Sequence, residues 1–248
     1  MAKKPRTPPP PRKVQAPKQR QDPHRGLDAD RQKKLLYGVA GAGLIGLVVA
    51  LIVVFASGGS GKAGNPQAIA ATMRAAGCTL TTSKAAPSAE HITSLSPTTK
   101  VTYSTYPPVS GKHYQIPPIW NNYTQLVDPR VAVHAEEHGG IVIWVGPDVS
   151  AAERQKISDF YDESPNAILV TPIENTAVAV TYPKHGAPGS KIYLTAWTTQ
   201  VKNGEVTGGT NVIATCPRFN EDAFKAFRDE FRGKGPERFP VSQLTPGT

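Results

Sequence analysis

The apolar positions of this chain fall into two regimes. From Leu35 to Phe55 they run as LLYGVAGAGLIGLVVALIVVF, twenty-one residues without a charge. About 20 such residues at 1.5 Å each cross a hydrocarbon core of about 30 Å, so the run predicts one transmembrane helix over residues 35–55. Arg31, Lys33 and Lys34 abut its start, while only Lys62 lies close beyond its end. An excess of basic residues marks the cytoplasmic side, which predicts a single-pass protein of the cell membrane, with the N-terminus inside and the rest on the outer face. A cleaved signal peptide ending near Val54-Phe55-Ala56 is the competing reading. It is opposed by the long tail and by an apolar run exceeding the roughly 7–15 residues of a signal core. Gly41-Ala42-Gly43-Leu44-Ile45-Gly46 has the glycine spacing of a dinucleotide-binding loop. That loop needs a strand before it and an amphipathic helix after it, so the match is dismissed. Gly38, Ala42 and Gly46 recur at i, i+4 and i+8, a small-residue stripe suited to homo-association of membrane helices.

Beyond the membrane run the pattern breaks into short periodic segments. Residues 56–65, SGGSGKAGN from Ser57, read as a flexible linker. A helix follows Pro66 through Ala76, and Gly77 stops it just before Cys78. Residues 79–100 are rich in Ser, Thr and Pro and read mostly as loop. Ile141 to Val145 reads as a buried strand, and Ser150-Ala151-Ala152-Glu153 as a capping box opening a helix to about Glu163. Ile168 to Thr171, Ala177 to Tyr182 and Ile192 to Trp197 read as strands between turns. Asn220 caps a last helix to about Arg232, Gly233 ends it, and residues 239–248 read as a loose tail. The sum is an α+β class: one membrane helix followed by a single extracytoplasmic domain over 66–238, with a small mixed sheet and a few helices. Both cysteines, Cys78 and Cys216, fall on the outer side, where an oxidising compartment favours a disulfide.

Charge changes the picture only at the N-terminus. The formal net charge is +9, but residues 1–34 hold eleven Lys and Arg against three Asp, and the remaining 17 basic residues face 16 acids. A domain so balanced lacks the electrostatic footprint of a nucleic-acid binder. The tail, with Thr7-Pro8-Pro9-Pro10-Pro11-Arg12 at its centre, buries nothing and is expected to be disordered. Its natural partner is the anionic lipid headgroup, at about 1 kcal/mol per Lys or Arg. A Pro-rich ligand for an adaptor module is the alternative.

Candidate chemistry concentrates in Asp128-Pro129-Arg130-Val131-Ala132-Val133-His134-Ala135-Glu136-Glu137-His138-Gly139-Gly140. Asp128 suits an N-cap, Pro129 the first helical position and Gly139 a left-handed stop, which predicts a helix. His134 and His138, at i and i+4, then share a face about 6 Å apart, close enough to share a metal. As a strand the same residues would sit about 13 Å apart, too far for one ion. Upstream, Pro107-Pro108-Val109-Ser110-Gly111-Lys112-His113 is a stiff turn that presents His113 at a fixed place. His113, His134 and His138 are therefore the candidate metal ligands, with Glu137 as a ligand-orienting group and zinc or copper(II) as the ions that imidazole suits. Only Met1 and Met73 are present, which argues against a methionine-rich copper(I) carrier. Gly111-Lys112 lacks the rest of a phosphate-binding loop, and Ser110 reads as a turn serine before a nucleophile.

The blocks Pro107 to His113, Val133 to Gly140 and Thr195-Ala196-Trp197 resemble the signatures of the domain-of-unknown-function family 3105, over roughly Pro66 to Arg238. The resemblance implies an outer domain behind one membrane helix, in bacteria and actinobacteria among them, and implies no activity. The chain departs from the pattern at Glu136, where Leu is usual, and at Thr198, where Gly often follows the Trp. Anchor, linker and bridge together favour a non-catalytic module that binds a partner or stabilises an assembly. Metal binding by the histidines is the second reading. The third is a zinc-dependent hydrolase, because His134-Ala135-Glu136-Glu137-His138 satisfies H-x-x-E-H with Glu137 as base and a further ligand from Glu163, Glu221 or Glu230.

Overall fold

A computed structural model describes residues 62–174, 179–203 and 205–248. The expected membrane helix at 35–55, the basic tail and the Gly38, Ala42 and Gly46 stripe lie outside the described residues. Among the described residues, no helix is long and apolar enough to cross a membrane.

The domain is α+β, with four helices and mixed sheets. In chain order it runs α1 (Pro66–Ala75), β1 (Thr79–Lys84), β2 (His91–Ile92), β3 (Val101–Thr102), β4 (His113–Tyr114), α2 (Pro129–Glu137) and β5 (Ile141–Val145). It continues through α3 (Ala151–Glu163), β6 (Ile168–Pro172), β7 (Val180–Thr181), β8 (Ile192–Lys202), β9 (Glu205–Cys216) and α4 (Glu221–Phe231). Five strands form the main sheet in the order β1-β9-β8-β5-β6, with only β5 and β6 parallel. Two-strand parallel ladders join β2 to β4 and β3 to β7.

Strand side chains alternate between faces, so the central strands of the main sheet feed two cores. Ile141, Ile143 and Val145 of β5, with Ile192 and Leu194 of β8, pack against Met73 of α1, Phe160 of α3 and Phe224, Phe227 and Phe231 of α4. Val142 and Trp144, with Tyr193 and Trp197, face the other way onto Ala132, Val133 and Ala135 of α2. The candidate site grows on this second face.

The helix ends are chemically specified. Asn65, Asp128, Ser150 and Asn220 each accept a first-turn backbone N–H on the side chain, and Gly77, Gly139 and Gly233 take positive φ after the C-termini. The capping box at Ser150 is half made. The Ser150 hydroxyl accepts from Glu153 N at 3.2 Å, but the Glu153 carboxylate turns away to accept from Phe219 N at 2.6 Å, tying α3 to the start of α4.

The structure adds order at three places. Residues 79–84 are strand β1, paired antiparallel with β9, within a stretch read mostly as loop. A strand at the sheet edge with exposed side chains needs β-branched Thr and backbone partners but no apolar face, so it reads as loop. Just before α1, Gly64 N donates to the Thr198 hydroxyl at 2.6 Å, and Asn65 N to the Glu230 carboxylate at 2.7 Å. The C-terminal residues are packed, because Leu244 is apolar and buried and its carbonyl accepts from Ala167 N at 2.7 Å, while Thr248 O accepts from Trp120 N. The expected strand 177–182 is described only over Val180–Thr181.

Cys78 and Cys216 form a disulfide. It ties the end of α1 to the end of β9 across 138 residues of sequence. Removing so long a closure costs about 2–5 kcal/mol. Mass spectrometry without reductant should find no alkylatable thiol, and Cys78→Ser should lower the melting temperature. Two alkylatable thiols in the native protein would contradict the bridge.

Candidate metal centre

Helix α2 brings His134 and Glu137 together because residues three apart share a helical face. Asp128 and Pro129 start this helix, and Arg130 clamps it to the loop after β2. The Arg130 guanidinium pairs with Asp128 at 2.6 Å and donates to the carbonyls of Leu95, Ser96 and Thr99 at 2.8–3.1 Å. Opposite the helix, the parallel ladder sets His91 directly beside His113, with Gln115 N donating to Ile92 O and His113 N to Glu90 O. The loop before His113 is fixed by the Tyr103 hydroxyl donating to Lys112 O at 2.9 Å. The buried Ser110 hydroxyl accepts from Ala86 N at 2.8 Å, a turn-holding role.

One ring nitrogen each of His91, His113 and His134 and one Glu137 carboxylate oxygen lie within 4.8 Å of one another. Glu137 Oε2 is 3.2 Å from His91 Nε2, 3.0 Å from His113 Nε2 and 3.8 Å from His134 Nε2. The side chains of His113, His134 and Glu137 are 0–5% exposed, and His91, at 43%, is the solvent-facing member. The Nδ1 atoms of His113 and His134 meet the carbonyls of Gly111 and Tyr114 at 2.8 and 2.6 Å. A carbonyl only accepts, so each Nδ1 carries the proton, and in a neutral imidazole Nε2 then holds a lone pair aimed inward. Burial, opposed by the Tyr114 carbonyl, pushes His134 down to about 4, which keeps it neutral at pH 7. Burial alone would raise the Glu137 carboxyl, yet a proton on the facing imidazoles, His113 foremost, supplies a hydrogen bond and charge that hold it below the ordinary carboxylate range, so the cluster favours a cation beside Glu137.

The structure joins His113 and His134 as the sequence predicts and adds His91, which no sequence signal marked. The only hint lay in a lone His, between Glu90 and Ile92, in a segment read as loop. Glu137, expected to orient a ligand, stands inside the cluster, its carboxylate oxygen among the ring nitrogens. His138 stands 3.0 Å from His134, Nε2 to Nε2, but belongs to a second group with Glu137 and Glu237. The acids considered for a hydrolase site lie elsewhere: Glu163 and Glu221 pair with Lys225, and Glu230 with Lys234.

Fold and cluster define an α+β domain with a preformed imidazole–carboxylate cluster beneath one helix. The family described as "Protein of unknown function (DUF3105)" matches residues 94–238, and the chain belongs to it. His113, His134, Glu137, His138 and Glu237 lie inside that span; His91 precedes it by three residues. No curated protein and no solved structure matches the chain.

Glu136 is wholly buried beside the second core. Burial raises its carboxyl well above the ordinary range, with a smaller opposing contribution from the Thr195 hydroxyl. An acid with a raised folded-state pKa costs stability above its unfolded value and nothing below it. In metal-free protein, Glu136→Leu should therefore stabilise by on the order of 1–3 kcal/mol at pH 7. That gain should shrink towards pH 4, as thermal melts at the two pH values will show.

Proposed function

We propose that this protein is a membrane-anchored, extracytoplasmic metal-binding module that holds a divalent ion of the zinc or copper(II) type at His91, His113, His134 and Glu137. One observation carries the reading: inward lone pairs of His113 and His134 meet the Glu137 carboxylate in a buried space. Acceptors meeting without a proton between them repel, and a cation reverses the sign. Four ligands around zinc at about 2.0–2.1 Å lie about 3.3–3.4 Å from one another, comparable with the separations of 3.0–3.8 Å that Glu137 makes. The carbonyls behind His113 and His134 supply the outer hydrogen bonds that orient metal-bound imidazoles. The rival is a protonated histidine paired with Glu137, with the His138 ring N–H donating to the His134 lone pair across 3.0 Å, and it predicts no bound metal.

The rest of the reading comes from the sequence. Residues 35–55 anchor the chain, the basic tail lies on anionic headgroups inside, and the domain stands outside, where a disulfide persists. The binding-module expectation is thus narrowed to metal as the ligand, and nothing in the cluster requires catalysis.

The full chain, purified without a polyhistidine tag and exposed to zinc or copper(II), should retain at least one equivalent after desalting. At free ion 100-fold above Kd, binding should add about 2.7 kcal/mol of stability. His113→Ala and His134→Ala should each abolish both effects, and a wild type that retains no metal refutes the site. Protease added to intact spheroplasts should degrade the domain and spare the tail; a protected domain refutes the topology.

A further inference from the structure

We infer that the centre is built for two cations, with Glu137 bridging them and His138 and Glu237 completing the second position. The inference rests on the metal-binding reading above. Glu137 is the one residue common to two groups whose ligand atoms lie within 4.8 Å of one another: His91, His113, His134 and Glu137, and then Glu137, His138 and Glu237. A carboxylate has two oxygens and about four lone-pair directions, enough to serve two ions. Ions so bridged sit about 3.5–4 Å apart in two-metal sites.

His138 points to the second ion. Its Nε2 lies 3.0 Å from His134 Nε2 and 3.0 Å from Glu237 Oε2. Both neighbours are acceptors, since His134 spends its proton on Tyr114 O and a carboxylate only accepts. One N–H on His138 cannot point at both. Once a first ion takes the His134 lone pair, His138 Nε2 and Glu237 Oε2 remain 3.0 Å apart beside Glu137, a ring nitrogen and a carboxylate placed to share a second ion. A second cation satisfies them together, and Glu237 brings the extra negative charge that two adjacent cations need.

Glu237 is held there by backbone. Its N–H donates to Glu137 O at 3.0 Å, and Gly233 N donates to Gly139 O at 2.7 Å, so residues 233–237 cap the end of α2. Gly235 lies so close that a Cβ would meet Gly139 N at 2.4 Å and Glu136 O at 2.5 Å. Phe239 packs on the His138 ring, centroids 4.4 Å apart. Half-exposed His91 and partly exposed Glu237 are the members that solvent reaches, one on each proposed ion.

Full-length protein stripped with chelator should take up two equivalents of zinc in equilibrium dialysis, and Glu237→Ala and His138→Ala one each. Loaded with manganese(II), the wild type should give the electron paramagnetic resonance spectrum of a spin-coupled pair, and Glu237→Ala that of an isolated ion. A wild type that stops at one equivalent, lost in His113→Ala but kept in Glu237→Ala, refutes the second position and leaves the first standing. Two equivalents retained by both variants refute the assignment to Glu237 and His138. No metal in the wild type refutes both positions.

Discussion

The Glu137 carboxylate is sealed to 5% exposure beneath three imidazoles, and the arrangement of the second face follows from it. Removing a carboxylate from water costs several kcal/mol unless other charges or donors compensate. Hydrocarbon cannot do this, so the fold surrounds Glu137 with ring nitrogens and fixes them from behind. The Gly111 and Tyr114 carbonyls set the tautomers of His113 and His134, and the β2–β4 ladder sets His91 beside His113. Arg130 fixes the loop after β2 through three carbonyls, joining the ladder's far end to the helix that carries Glu137. Each of these is a directional bond to backbone, which holds a position more narrowly than packing alone.

The main sheet separates stability from chemistry. On one face the aromatic residues of α3 and α4 and the side chains of α1 make an apolar core, closed by the Cys78–Cys216 bridge. On the other, buried polar groups gather: His113, His134, Glu136, Glu137 and Thr195 among Trp and Tyr rings. Buried polar groups cost stability unless fully satisfied. The apolar face and the disulfide offset that cost, so the second face can keep a carboxylate and several imidazoles dry.

What was legible in the sequence was local. Asp128, Pro129 and Gly139 bound α2, Ser150 opens α3, Asn220 opens α4, and the apolar run 141–145 marks β5, because each signal acts within one helical turn or one strand. The two cysteines were legible from the compartment implied by Leu35 to Phe55. Hidden were β1 and β9, whose pairing joins Thr79 to Thr215: β1 is mostly Ser and Thr, and β9 runs through Thr, Gly and Asn before its short apolar alternation at Val212, Ala214 and Cys216. A register between segments so distant leaves no periodic trace in either.

The same distinction explains the candidate site. His134 and Glu137 could be placed on one face from helix geometry, and His138 followed by the same arithmetic. His91 could not, because it enters through a two-residue parallel ladder that periodicity is too short to reveal. Glu237 was hidden for a related reason: it arrives with a backbone stretch that satisfies the last carbonyls of α2, a service any extended segment with a small residue at the crossing can supply. Ligands near each other in sequence thus form a recognisable motif, whereas those brought by other segments have only their chemistry to mark them. The helix supplies two of the four residues of the first group, and the Glu137 carbonyl at its end receives the Glu237 N–H, so a single nine-residue element organises side chains from three other stretches of chain.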